Sequence, residues 1–353
     1  QFRDLARREV ASVGAGDIAA VSGLRDVSIG DTIAAPESPE PLERIAIEEP
    51  TVKMTFSVNT SPFSGRDGQY ATSRTLWTRL ERELRTNVSL RLERTDSADV
   101  FLVSGRGELH LAVLIESMRR EGMEFQVSKP EAVTTLINGK MHEPRELLSM
   151  ETREEYVGVL TEELAQRLAQ LRDMRHDGQG NVALQYEIPT RGLIGFRNFF
   201  LRVTRGNGVM NSELLGMEPM QGEVRSLRSG AIVAAETGMA VTYGLRNAQE
   251  RGETYVEPQT SVYEGMIVGS HNRDGDLNLN ICKERKMTNI RSSPSEIIER
   301  LEPAIRFSLE ESLDFIAGDE LVEVTPKNIR MRKRTLQADQ RYREARDRAR
   351  ATS

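Results

Sequence analysis

Between Gly269 and Ser293 the chain sets His271, Arg273, Lys283, Arg285, Lys286 and Arg291 among Asn272, Asn278, Asn280 and Asn289, with few apolar residues. Lys and Arg neutralise phosphates, and Asn reaches base edges or ribose hydroxyls. The segment is expected to be a weakly ordered polar loop that becomes fixed on an RNA partner. A solvated loop with incidental charge is the plainer alternative. A second cationic pattern, Ile329-Arg330-Met331-Arg332-Lys333-Arg334, alternates apolar and basic residues. On a strand Arg330, Arg332 and Arg334 share one face, about 6.5–7 Å apart, near the phosphate spacing of an RNA strand. Lys333 adds charge beside them. An edge strand charged against aggregation has the same appearance.

Other chemistries find no constellation. No G-x-x-x-x-G-K-[ST] loop is present to cradle phosphates. The nearest glycine loop, Ser64-Gly65-Arg66-Asp67-Gly68, lacks the Lys-Ser/Thr ending and reads as a plain turn before a helix. No nucleophile, His and acid stand at a motif spacing, so no catalytic residue is assigned. His110, His142, His176 and His271 are far apart, and Cys282 is the single cysteine. An intrachain disulfide and a thiolate zinc cluster are excluded, and a reducing cytoplasm fits. No apolar run approaches the roughly 20 residues that span a bilayer, so no membrane partner is expected. The chain opens at Gln1 rather than Met, inside a strand-rich stretch, and is expected to be a fragment of a longer protein.

Net charge is −6, from 48 Lys/Arg and 54 Asp/Glu. Residues 327–350 hold ten Lys/Arg and three Asp/Glu, or +7, which leaves −13 elsewhere. A basic end on an acidic body suits an RNA-contacting terminus.

The elements that must position these cations follow from periodicity. The expected class is α+β and multidomain: two ferredoxin-like βαββαβ domains, then a β-rich C-terminal domain. Residues 1–47 read as the end of a β-barrel, closed by a linker at Pro36, Pro39 and Pro41. In 48–128, Val52, Met54, Phe56 and Val58 alternate as a strand. Leu76, Trp77, Leu80 and Leu84 form a helical face capped by Thr72 or Ser73. Strands around Leu90 and Val100–Val103 follow, then a helix through Leu111, Leu114, Ile115 and Met118, and a strand at Phe125 and Val127. That is β-α-β-β-α-β order.

A weaker copy is expected over 129–218. Its first helix opens on a Thr152/Glu155 capping box and buries Val157, Leu160, Leu164, Leu168 and Leu171. A second helix runs through Leu193, Phe196, Phe200 and Val203. Over 219–335, strands are expected at 230–236, 239–245, 265–269, 277–281, 320–325 and 328–334. One helix, 309–316, has Ser308 and Glu311 as its capping box. The tail 336–353 is expected to be basic and disordered.

Ser104-Gly105-Arg106-Gly107-Glu108-Leu109-His110-Leu111 is the most specific string. Its glycines allow a tight strand-to-helix connection, and Glu108 sits in the first helical turn, where the dipole favours a carboxylate. The string resembles the S-G-x-G-E-L-H-L signature in the third domain of translational GTPases. Asn59-Thr60-Ser61-Pro62-Phe63-Ser64-Gly65, Pro189-Thr190-Arg191-Gly192-Leu193-Ile194-Gly195-Phe196-Arg197 and Asp319-Glu320-Leu321-Val322-Glu323-Val324-Thr325-Pro326 are similar to stretches of the BipA/TypA family. This resemblance covers nearly the whole chain: end of domain two, domain three, domain five, then the family-specific domain. It implies binding to the ribosome, large-subunit rRNA and the acceptor end of tRNA, with roles in ribosome assembly and growth under stress. GTP and Mg belong to the full-length family, whose GTPase domain is missing in cis. A LepA-like factor and an RNA-independent protein-binding adapter are the alternatives.

Overall fold

The computed structural model describes all residues except 1, 4–5, 8, 25–26, 28, 44–48, 69–71, 225–227, 285–300 and 353. Three masses of chain emerge, and two of them are fused.

The first unit has β-α-β-β-α-β order: Val52–Ser57, helix Ser73–Leu84, Arg91–Arg94, Val100–Gly105, helix Glu108–Arg120 and Phe125–Ser128. Across its antiparallel sheet the strands lie as Phe125–Ser128, Val52–Ser57, Val100–Gly105, Arg91–Arg94. Alternation puts Val52, Met54 and Phe56 inward, against Leu76, Leu80, Leu111 and Ile115 of the two helices. Leu84 is only half-buried. Thr72 caps the first helix by accepting from the Thr75 N–H at 3.3 Å. Thr72→Ala is expected to cost about 1 kcal/mol. An unchanged denaturant midpoint would show the cap to be idle.

The sheet does not stop there. The hairpin of Glu320–Val324 and Ile329–Lys333 adds to the Phe125–Ser128 edge, with Val322 opposite Val127 and Val324 opposite Phe125. Val322, Val324, Leu309, Leu313 and Ile316 share the first unit's core. This corrects the boundary of a self-contained domain over 219–335. The rest of that region forms a sheet ordered Gly252–Thr254, Ile267–His271, Ala231–Ala234, Leu277–Leu279, the last pair parallel. Its separate core admits Phe63 from the first unit.

The second unit is thus an insertion. Its long strand Lys140–Arg153 lies between Asn181–Pro189 and Gly208–Pro219, with Gln170–His176 at one edge. Helices Glu154–Gln166 and Phe196–Val203 cover one face over Leu148, Met150, Leu184 and Tyr186. Leu160 and Leu164 are buried as their spacing predicts.

Several expectations are corrected. Helix Glu154–Gln166 ends early: Leu168 takes a left-handed φ of 63° and Leu171 lies in the next strand, 48% exposed. Its N-cap is Arg153, with no side-chain cap, so the Thr152/Glu155 box is not formed. Residues 242–249 are helix Thr242–Gln249 rather than part of a strand, with Gly244 pressed on the Ile281 backbone, where a Cβ would lie 2.2 Å from a carbonyl oxygen. Up to Pro50, the strands among the described residues are one two-residue pair, Phe2–Arg3 with Ala6–Arg7. Ala338–Thr352 is a helix, not a disordered tail; Ala, Arg, Gln and Glu are strong helix formers, which outweighs the missing apolar face. The Ser308/Glu311 capping box forms as read, on helix Leu309–Phe315.

Candidate nucleic-acid interface

The basic segment of 269–293 is not one loop. Gly269 and His271 belong to strand Ile267–His271, residues 272–276 turn, and Leu277–Leu279 re-enters the sheet beside Ala231–Ala234. Backbone pairing thus pins the part that the sequence left loose. His271 is partly buried, its Nδ1 2.9 Å from the Gly275 carbonyl. Arg273, on the turn, and Lys283, just past the strand, are exposed and form no ion pair among the described residues. Arg285, Lys286, Asn289 and Arg291 lie outside the described residues.

The other cationic pattern turns inward. Arg330 donates to Glu323 at 2.8 Å and Asp67 at 3.2 Å. Arg332 is 1% exposed and donates to Thr60 Oγ1 at 2.8 Å and to Gln126. Lys333, 2% exposed, meets Glu320 at 2.7 Å, Asp319 at 3.0 Å and also Asp276. These three are corrected: a guanidinium or ammonium already desolvated and neutralised by internal partners cannot reach a phosphate. Only Arg334 remains exposed, with its N–H on the Asp319 carbonyl at 2.9 Å. The strand itself was legible, but the carboxylates that claim its cations come from distant parts of the chain.

The C-terminal helix brings a cation that the sequence reading passed over. Arg341 donates to the Thr335 carbonyl at 3.0 Å and to Asn278. Together with Arg334 it lines a groove of about 880 Å³ that also holds Asp276 and Asp319.

The glycine loop at 64–68 carries its own anion. Gly65 and Gly68 donate their N–H groups to the two oxygens of buried Glu124, at 2.8 and 2.9 Å. The amides that could hold a phosphate are therefore spent on an internal carboxylate. Among the described residues, no group of three or more His, Cys, Asp or Glu side chains is placed to hold a metal ion. No helix is long and apolar enough to cross a membrane among those residues.

Glu108 of the S-G-x-G-E-L-H-L string accepts from the Gly195 N–H at 2.8 Å, so this stretch joins the first unit to the second. His110 completes the turn locally: its Nδ1 accepts from the Arg106 N–H at 3.2 Å, and Nε2 lies 2.7 Å from Asn87.

The insertion, residues 140–228, matches the family described as elongation factor G C-terminus. Residues 229–338, which carry the Arg273 turn, match the family described as TypA/BipA C-terminal domain. A large ribosomal subunit assembly factor BipA from Synechocystis is 47% identical over 332 residues, 94% of this chain and 56% of that protein. The protein so named in Bacillus subtilis is 46% identical over 345 residues, 98% of this chain and 56% of its own length. A putative elongation factor TypA-like protein SVR3, chloroplastic, from Arabidopsis thaliana is 47% identical, covering 91% of this chain and 47% of its own. The chain belongs to the BipA/TypA family and spans about half the length of these curated relatives. A solved structure from Thermus thermophilus aligns at a TM-score of 0.34 and 15% identity, over 53% of this chain and 43% of that one.

Proposed function

We propose that this chain is the ribosome-docking part of a large-subunit assembly factor, and that its C-terminal segment meets RNA phosphates through the turn after strand Ile267–His271. One observation carries the reading. Arg273 and Lys283 are exposed and unneutralised among the described residues, whereas Arg330, Arg332 and Lys333 are consumed internally. In sequence, Arg285, Lys286, Asn289 and Arg291 extend the same cationic run. The names of the BipA relatives point to the large subunit. Large-subunit rRNA is the first target, and the acceptor end of tRNA, which offers the same phosphate chemistry, is the second. The two βαββαβ units serve in this reading as ferredoxin-like spacers and docking surfaces. GTP hydrolysis with Mg, and any role under stress, would belong to a full-length protein carrying a GTPase domain.

The test is ribosome co-sedimentation over a salt series with Arg273→Ala/Lys283→Ala. Each lost phosphate contact removes a counterion-release term, so the log–log salt slope should fall by about 1–2 and affinity near 0.1 M salt by about tenfold. Stability should shift by about 0.5 kcal/mol or less. Unchanged slope and affinity would remove the turn from the interface. Binding by the wild-type chain that ignores salt would instead favour an RNA-independent adapter.

A further inference from the structure

A cavity of about 460 Å³ lies where the insertion meets the rest of the molecule. Lys129 and Pro130 line it from one side, and Arg191, Ile194 and Met220 of the insertion line it from the other. The size is that of a small-molecule site, and Pro130, Ile194 and Met220 give it apolar walls.

Its charged lining is Lys129, Arg167, Arg191, Arg228, Glu131 and Asp314. Most of these already have partners. Arg167 pairs with Glu163 at 2.7 Å, Arg191 with Glu143 at 2.6 Å, and Arg228 with Glu320. Asp314 accepts from Asn198, and Glu131 is exposed to solvent. Lys129 is the exception. Its ammonium has no hydrogen bond and no ion pair among the described residues. A second unused donor belongs to the same lining: Arg228 Nε is buried without an acceptor. A desolvated ammonium without a partner is costly, and so are buried donors left unmet.

We infer that the seam cavity is a binding site for a small organic anion, a phosphate or carboxylate group on an apolar body. Lys129 receives the oxyanion, and Pro130, Ile194 and Met220 cover the apolar part. Burial also lowers the Lys129 ammonium below its ordinary value, and the Arg228 charge adds to this. Glu320, Asp314 and Glu131 oppose the shift without reaching ion-pair distance, so an anion placed against Lys129 meets a charge that the chain itself leaves open. Both units line the cavity, so the occupant binds the docked arrangement and stabilises it by mass action. Neither Arg273 nor Lys283 lines the cavity, and the site stands apart from the RNA contact proposed above.

The test is calorimetry and melting curves on the whole chain with inorganic phosphate, phenyl phosphate and benzoate, against sodium chloride at matched ionic strength. Phenyl phosphate should bind more tightly than inorganic phosphate, because only it covers the apolar walls. Its comparison with benzoate reads the preferred head group. Lys129→Met, similar in length but uncharged, should weaken phenyl phosphate about ten- to a hundredfold and remove the ligand-dependent rise in melting temperature. Without ligand the same variant should melt at or above the wild-type temperature, since an unpaired desolvated charge is gone. Absence of binding by all three probes overturns the site, as does binding that Lys129→Met leaves unchanged. A ligand-free variant that melts several degrees below wild type would show Lys129 to be a structural partner of Asp314 or Glu131 instead. Lys129-dependent binding of a short RNA oligomer, with none of the small anions, would assign the cavity to nucleic acid and equally overturn the proposal.

Discussion

Replacing Lys333 by methionine is expected to destabilise the protein by about 3–5 kcal/mol, because it takes from buried Glu320 one of its two cations and from Asp276 and Asp319 their shared one. Glu320 is fully buried, and its oxygens are shared by Lys333, by Arg228 and by the Ala317 N–H at 2.7 Å. Burial alone would raise the Asp276 carboxyl. Hydrogen bonds from Lys333 and the Ala231 N–H, with the charges of Lys333 and Arg228, bring it below its ordinary value instead. The stabilising contribution of Asp276 is therefore present above its ordinary range and is lost as the medium becomes more acidic. A chemical denaturation series on Lys333→Met measures the loss. Adding Glu320→Gln to the same chain should restore part of it, since the buried charge left with Arg228 alone goes too. A loss below about 1 kcal/mol for the single variant would mean that the cluster contributes little to stability.

Phe63→Ala is the other large effect, expected at about 3–5 kcal/mol. The ring is 6% exposed and sits edge-on to Tyr263, with centroids 4.9 Å apart. It enters the C-terminal core from a loop of the first unit, so the cavity opens at the seam between them. Tyr263 donates to Glu323 at 2.8 Å, and Asn59 of the same loop donates to Glu323 at 3.0 Å. Near-ultraviolet dichroism from Tyr263 should weaken along with stability. A variant with the wild-type midpoint and an unchanged tyrosine signal would show that the two parts adhere without this side chain.

What the sequence made legible was local. Leu76 and Leu80, Leu160 and Leu164, and the Ser308/Glu311 box lie within one or two helical turns of their partners, so periodicity and capping chemistry suffice. The strand at 329–333 was also legible as a strand. Its function was not, because the carboxylates that neutralise it, Glu320, Glu323, Asp276 and Asp67, are chosen by tertiary pairing. Residues 242–249 misled for a related reason. Val241, Thr242 and Tyr243 favour strands, yet burial of Leu245 and Ala248 on one helical face decides the conformation. Of the candidate interface, the cations of 271–283 could be picked out by composition, while their division into strand, turn and strand depended on pairing with residues 231–234.

The added hairpin also sets a schedule for biogenesis. Strand Phe125–Ser128 leaves the ribosome well before its neighbour Glu320–Val324, which is encoded almost 200 residues later. At about 5–20 residues per second, the nascent chain carries an unpaired sheet edge for on the order of 10–40 s. That edge is flanked by Phe125 and Val127, both destined for the core. Such a strand is a template for pairing with another chain. The insertion, whose sheet pairs only within residues 135–219, can close in the meantime. A chain truncated before residue 320 should therefore retain the insertion as a folded unit and aggregate through the first, because the hairpin that seals strand Phe125–Ser128 has not yet been made.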